Sequence, residues 1–89
     1  MAWTIRYAPA SRRQLRRLDR QTAQRIQEEL TGRIAKASDP RQLGRAKMLR
    51  ASMGGLWRFR VGAYRIICDI QDDDRIIVVL RIGHRREVY

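Results

Sequence analysis

The last seven residues, Gly83-His84-Arg85-Arg86-Glu87-Val88-Tyr89, gather side chains suited to chemistry on a phosphate. The one histidine of the chain stands beside two adjacent arginines, with a tyrosine at position 89. Imidazole exchanges protons near neutral pH. Guanidinium clamps phosphate through a planar fork, and a phenol ring stacks on a base or offers a hydroxyl. Cleaving a phosphodiester needs that combination: a grip on the charge, a proton carrier and a means of orienting the nucleotide. The segment directly follows an apolar run, Ile76-Ile77-Val78-Val79-Leu80, that reads as a strand. A pure core strand does not normally finish this way.

A second concentration of charge lies upstream. Between Asp39 and Asp69 the chain has no acidic residue, while the same interval holds Arg41, Arg45, Lys47, Arg50, Arg58, Arg60 and Arg65. Strand residues two apart face the same way. Arg58 and Arg60 are therefore expected on one sheet face, with Trp57, Phe59 and Val61 packed on the other. Arg65 on the following strand extends the pair into a basic platform, and the tail from His84 is expected to border it. Taken singly, each residue also fits a plain role. Arg58 and Arg60 suit any solvated face, Arg65 suits cross-strand pairing with an acid such as Asp69, and a lone histidine after a strand is often incidental. Tyr89, as a terminal residue, suits a frayed end. The joint arrangement is what points to a site.

The elements that must position these residues follow from periodicity. Residues 2–7 alternate, with Trp3, Ile5 and Tyr7 on one face, and predict a first strand. Pro9 suits the first turn of a helix, in which Leu15 and Leu18 form a narrow apolar stripe among Arg12, Arg13, Arg16, Arg17 and Arg20. Asp19 is a fitting N-cap for a second helix, where Ala23, Ile26, Leu30 and Ile34 recur at helical spacing until Ser38-Asp39-Pro40 stops it. Residues 41–55 read as irregular. Strands are predicted over Leu56 to Val61, Tyr64 to Ile70 and Arg75 to Ile82, joined by Gly62-Ala63 and by Gln71-Asp72-Asp73-Asp74. The expected fold class is α+β, in the order β-α-α-β-β-β, with an N-terminal strand and a helical hairpin packed on an antiparallel sheet. Trp3 and Trp57 are assigned to the core.

Composition narrows the function classes. Eighty-nine residues predict one domain over 1–89. A chain of this size buries roughly 60–65% of its unfolded surface. Twenty Lys and Arg stand against nine Asp and Glu, a formal net charge of +11, and only Lys36 and Lys47 among the cations are lysine. Such charge favours polyanion binding with strong salt dependence, although arginine-rich coding on an ordinary solvated face gives part of the same count. Cys68, the single cysteine, excludes an internal disulfide or a cysteine-based zinc site and reads as a small core residue. The chain shows no Gly-rich phosphate loop, no Cys/His metal spacing and no activated serine set. Asp72-Asp73-Asp74 reads as a solvated turn. No cofactor or metal is called for. No run approaches a membrane span and no signal peptide is visible, so the expectation is a cytoplasmic protein without a membrane partner, ending at Tyr89 with no further helix.

On these residues the chain resembles the RelE branch of the RelE/ParE toxin superfamily. The likeness runs through Lys47-Met48-Leu49-Arg50, Leu56-Trp57-Arg58-Phe59-Arg60-Val61-Gly62-Ala63-Tyr64-Arg65-Ile66-Ile67 and Gly83 to Tyr89, and covers essentially the whole chain. It implies a toxin of a type II toxin–antitoxin module. RelE-type toxins cleave messenger RNA in the ribosomal A site by attack of the 2′-hydroxyl on the adjacent phosphate, without a metal ion. By position, the resemblance implies that Arg58 and Arg60 hold or activate the RNA and that Arg65 binds the scissile phosphate. Arg85 would stabilise the transition state or leaving group, and Tyr89 would stack on a base. Lys47, Arg50 and Arg86 would bind RNA. His84 falls where several relatives carry histidine. The best-known members have lysines where this chain has Arg58 and Arg60. Arginine does not give up its proton, so His84, then Tyr89, becomes the expected proton carrier. The implied partners are a cognate acidic antitoxin, the ribosome and messenger RNA. Two other readings stay open: a ParE-like inhibitor of DNA gyrase, and an RNA or ribosome binder without catalysis.

Overall fold

The computed structural model describes residues 2–50 and 55–84, the side chain of Arg50 excepted. The chain starts at one edge of a sheet with β1 (Thr4–Tyr7) and leaves it for α1 (Pro9–Arg17) and α2 (Arg20–Glu28). It re-enters at the far edge with β2 (Ala46–Arg50), then steps back through β3 (Leu56–Val61), β4 (Tyr64–Gln71) and β5 (Ile76–His84). The strand order is β1-β5-β4-β3-β2. β1 pairs parallel with β5, and the other pairings are antiparallel.

Local chemistry accounts for the helices. Pro9 opens α1, where a missing N–H costs nothing. The fully buried Ser11 anchors that first turn: its hydroxyl lies 2.7 Å from the Val79 carbonyl oxygen and 2.9 Å from that of Ala8. Asp19 caps α2 as expected, its carboxylate accepting from the Thr22 amide at 3.1 Å and the Thr22 hydroxyl at 2.6 Å. α2 then widens into a π-helical stretch, Glu29–Ile34. The extra residue in that turn keeps both Leu30 and Ile34 buried against the sheet. With Ile26 they pack on Phe59, Val61, Ile66, Cys68, Ile70, Ile77, Val79 and Ile82, which makes one core between the helices and one face of the sheet. Trp3 joins this core with the Arg75 guanidinium 4.5 Å over its ring, and Trp57 packs against its border.

The α+β class and the expected element order stand, with two corrections. The segment read as irregular contains the fifth strand, β2, an edge strand that pairs with β3 alone and exposes Met48 and Leu49. Without a buried face it has no alternating signature to read. The last strand is also shifted. Arg75 sits in the turn with φ 52°, and pairing runs on through Gly83 and His84. A bulge in β5 accompanies this extension: Cys68 faces Val79 but Ile67 faces Arg81, leaving Leu80 as the extra residue.

Candidate nucleic-acid interface

The helices cover one sheet face, and register shows what the other face carries. Arg60 pairs with Arg65, and Arg65 pairs with Gly83. On its other side, the Arg60 amide donates to the Arg45 carbonyl at 3.4 Å. Arg45, just before β2, thus forms a row with Arg60, Arg65 and Gly83 on β3, β4 and β5. The next row on the same face is Lys47, Arg58, Ile67 and Arg81. Further along, Arg6 lies opposite Val78, which lies opposite Asp69. Among the described strand residues, Asp69 is the one acid on this face. It accepts from Gln71 at 3.2 Å and sits four residues from Arg65. The two rows therefore concentrate positive charge at the end of the sheet away from Asp69. Arg58 and Arg65 bury their Nε atoms, and Ile67 is covered between them at 8% exposure. Both residues are half-buried, so their stems act as packing. Gly44, Arg45, Ala46, Lys47, Arg58 and Arg60 enclose a hollow of about 220 Å³ on this face.

The structure thus brings Lys47, Arg58, Arg60 and Arg65 together. It does not bring His84 to them. His84 pairs with Tyr64, which pairs with Val61, on the face that packs on the helices. Its ring meets Tyr64 edge to face, with centroids 5.6 Å apart and planes at 81°. The expectation of one pocket holding the arginines and the imidazole is overturned, and the bulge is the physical reason. From Ile77 and Val79 in the core, uninterrupted alternation would turn His84 to the open side; the extra Leu80 reverses the sides beyond it. Arg85, Arg86 and Tyr89, and the side chain of Arg50, lie outside the described residues. The sequence did not single out Arg81, and it placed Arg45 in the basic interval without assigning it to the site. The bulge that aims Arg81 outward has no sequence signature here, whereas Arg45 shows the same spacing from Lys47 that Arg58 has from Arg60.

Other charged groups serve the fold. Arg41 grips Asp72 with two bonds of 2.9 and 2.6 Å and Asp39 with one of 2.8 Å, tying the Pro40–Gln42 turn to the β4–β5 turn. These bonds from Arg41 hold both carboxyls below the ordinary aspartate range. Asp72 is thus an arginine partner, whereas the sequence suggested only a solvated turn. Burial pushes the Cys68 thiol far up and leaves it unreactive. On α1, Arg12, Arg13, Arg16 and Arg17 are all exposed, a second positive surface apart from the sheet.

With this geometry in place, likeness to known proteins decides the family. The model of the ParE toxin of the type II toxin–antitoxin system parDE matches residues 5–89. The chain belongs to the RelE/ParE toxin superfamily. Toxin RelG of Mycobacterium tuberculosis is 30% identical over 89 residues, covering all of this chain and 98% of RelG. The toxin–antitoxin complex RelBE2 of the same organism contains a chain that superposes with a TM-score of 0.79 at 28% identity, over 96% of this chain and 100% of that one. The archaeal RelE–RelB complex of Pyrococcus horikoshii gives the same TM-score at 21% identity, over 99% and 100% of the two chains, and bears on the fold. This chain is accordingly a type II toxin with the RelE fold. No helix among the described residues is long and apolar enough to cross a membrane.

Proposed function

We propose that this RelE/ParE-family toxin is a ribosome-dependent endoribonuclease that cuts messenger RNA in the A site. The observation that carries the reading is the pair of cross-strand rows on the open face, Arg45–Arg60–Arg65 and Lys47–Arg58. In the reaction, the ribose 2′-oxygen bonds to the adjacent phosphorus and the bond from phosphorus to the 5′-oxygen breaks. The 2′-hydroxyl gives up a proton and the departing 5′-oxygen gains one. Negative charge builds on the phosphoryl oxygens between these events. Guanidinium groups fixed in advance by the sheet suit that charge, and such stabilisation is commonly the largest single contribution to catalysis. No metal ion takes part in this scheme. Arginine stays charged, so with His84 on the other face the expected proton carrier becomes Tyr89, by its position in the resemblance. Arg85 at the leaving group, Tyr89 on a neighbouring base, and Arg50 and Arg86 along the RNA complete the proposal by their positions in the resemblance.

The same face suits an antitoxin. A chain similar to this one is held in the toxin–antitoxin complex RelBE2, and an acidic partner laid over these rows would cancel the charge and block the RNA. Co-purification with the product of a neighbouring gene, and relief of growth arrest by it, tests that part.

The central test is to induce the toxin in cells and sequence RNA 5′ ends on and off ribosomes. Cuts confined to ribosome-bound messages, and lost with Arg65→Ala, support the reading. The namesake of the matching family is ParE, so gyrase-linked DNA breaks should be mapped in the same cells. Breaks without RNA cuts favour gyrase inhibition, and salt-sensitive RNA binding without either favours a non-catalytic binder.

A further inference from the structure

Among the described residues, β5 has no strand on its outer side beyond Val79, because β1 ends with Tyr7 opposite that residue. α1 lies along the open stretch instead, and the Gln14 side-chain oxygen accepts from the Ile82 amide at 2.7 Å. A groove of about 340 Å³ opens between them, lined by Gln14, Arg17, Leu18, Tyr64, Ile82 and His84. That is near the lower end of the ~300–1,000 Å³ usual for small-ligand sites. Its chemistry is mixed in a particular way. Leu18, Ile82 and the paired rings of Tyr64 and His84 give apolar and aromatic surface. The Gln14 amide, whose oxygen is already used, and the guanidinium of Arg17 give donors. Arg81 borders the groove from the open face, and none of the described lining residues is acidic.

This groove is continuous with the arginine face. Gly83 lies in the same cross-strand row as Arg60 and Arg65 and also lines the groove. At that point one strand without a side chain separates the two sides, about one strand spacing, ~4.8 Å, from β4. Arg81, opposite Ile67 on the open face, borders the groove as well. Among the described residues, a chain held by its phosphate on Arg60 and Arg65 can therefore cross β5 at Gly83 without meeting a side chain.

We propose that this groove holds one unpaired nucleobase of the bound RNA, stacked on the His84 ring that Tyr64 supports at right angles, with Gln14, Arg17 and Arg81 meeting its acceptor edge and adjoining phosphate. The proposal rests on the reading of the open face as an RNA-cleaving site and adds a base-recognition subsite to it. In this arrangement His84 is a stacking residue on the helix side of the sheet, and the shape and donors of the groove bias which base is accepted next to the cut. Aromatic surface beside cations is what favours a base over an acidic peptide here, since a peptide carboxylate gains nothing from the ring pair.

The test uses the whole purified chain and a short single-stranded RNA, 2′-O-methylated so that it cannot be cut, with 2-aminopurine placed at successive positions. Stacking should quench the fluorescence of the bound probe at one position. His84→Ala and the surface variant Arg17→Glu should each weaken binding about tenfold, the scale of a lost base–aromatic contact or phosphate partner. His84→Ala should also abolish the quenching at that position, while His84→Phe keeps both affinity and quenching. Arg17 is exposed, so its variant stays informative should His84→Ala misfold. Unchanged affinity and quenching in both variants would overturn the proposal, as would His84→Phe behaving like His84→Ala. Polyglutamate binding that responds to these variants while RNA binding does not would overturn it in favour of a peptide. If the parent binds no RNA, the groove assignment falls, while the cleavage reading is judged by the RNA 5′ ends in cells. If Arg65→Ala weakens binding while the groove variants are silent, the groove assignment alone fails.

Discussion

Arg60 should stabilise RNA binding and destabilise the protein. It is exposed on β3 between Arg65 on β4 and Arg45 on the β2 side, so it faces a like charge on both flanks. Taking ~7 Å between guanidinium centres in water, each repulsion is about 0.6 kcal/mol, and the two together are about 1 kcal/mol. A Debye length of ~8 Å at physiological salt removes roughly half of that. Arg60→Thr replaces the charge with a residue suited to strands. It should therefore raise the melting temperature by about 2–4 °C at physiological salt, and more at low salt, on the scale of ~4–8 °C per kcal/mol for a domain of this size. RNA binding should move the other way. Losing one phosphate contact lowers the log–log salt slope for single-stranded RNA by ~0.7. Thermal melts at two ionic strengths and RNA titrations across a salt series measure both quantities. A melting temperature that falls at low salt, or an RNA slope that does not change, would refute the placement of Arg60 in a repulsive, phosphate-facing row.

Three further outcomes follow from packing and hydrogen bonds. Gln14→Ala removes the acceptor from the buried edge of β5 and should cost about 1 kcal/mol, with faster amide exchange at Ile82; unchanged exchange there contradicts the Gln14 contact. The lowered carboxyls of Asp39 and Asp72 bind protons more readily in the unfolded chain, so their contribution is present above the ordinary aspartate range and fades below about pH 4. It is small, ~0–1 kcal/mol for such solvent-exposed pairs. Arg41→Ala should flatten the dependence of urea midpoints on pH in that acid range and leave it unaltered near neutrality. Cys68 should resist alkylation by iodoacetamide in the native protein and react at the rate of unfolding. Rapid native labelling would contradict its burial.

Most of the fold was legible where burial imposes a period. Ile26, Leu30 and Ile34 announced the core side of the second helix, Asp19 its start, and Phe59 with Val61 the inner face of β3. The same alternation placed Arg58 and Arg60 together. β2 was not legible, because an edge strand with Met48 and Leu49 exposed obeys no burial pattern. Nor was the side taken by His84, since Leu80 looks like any other apolar strand residue until its pairing partner is known. The groove escaped for a related reason. It exists because β1 stops at Tyr7 while β5 runs on to His84, and a difference in strand length across a parallel pair leaves no mark on either segment.

The bulge at Leu80 also bears on how such a toxin changes over time. Losing the bulge with every residue kept, so that Leu80 pairs with Ile67 in place of Arg81, would exchange the sides of Arg81, Gly83 and His84 without altering any of them. An imidazole would arrive among the arginines, and a guanidinium would turn toward the helices. Chains of this fold can thus redistribute acid–base and recognition chemistry between their two surfaces through the pairing of one residue, a route that position-by-position comparison of residue types would overlook.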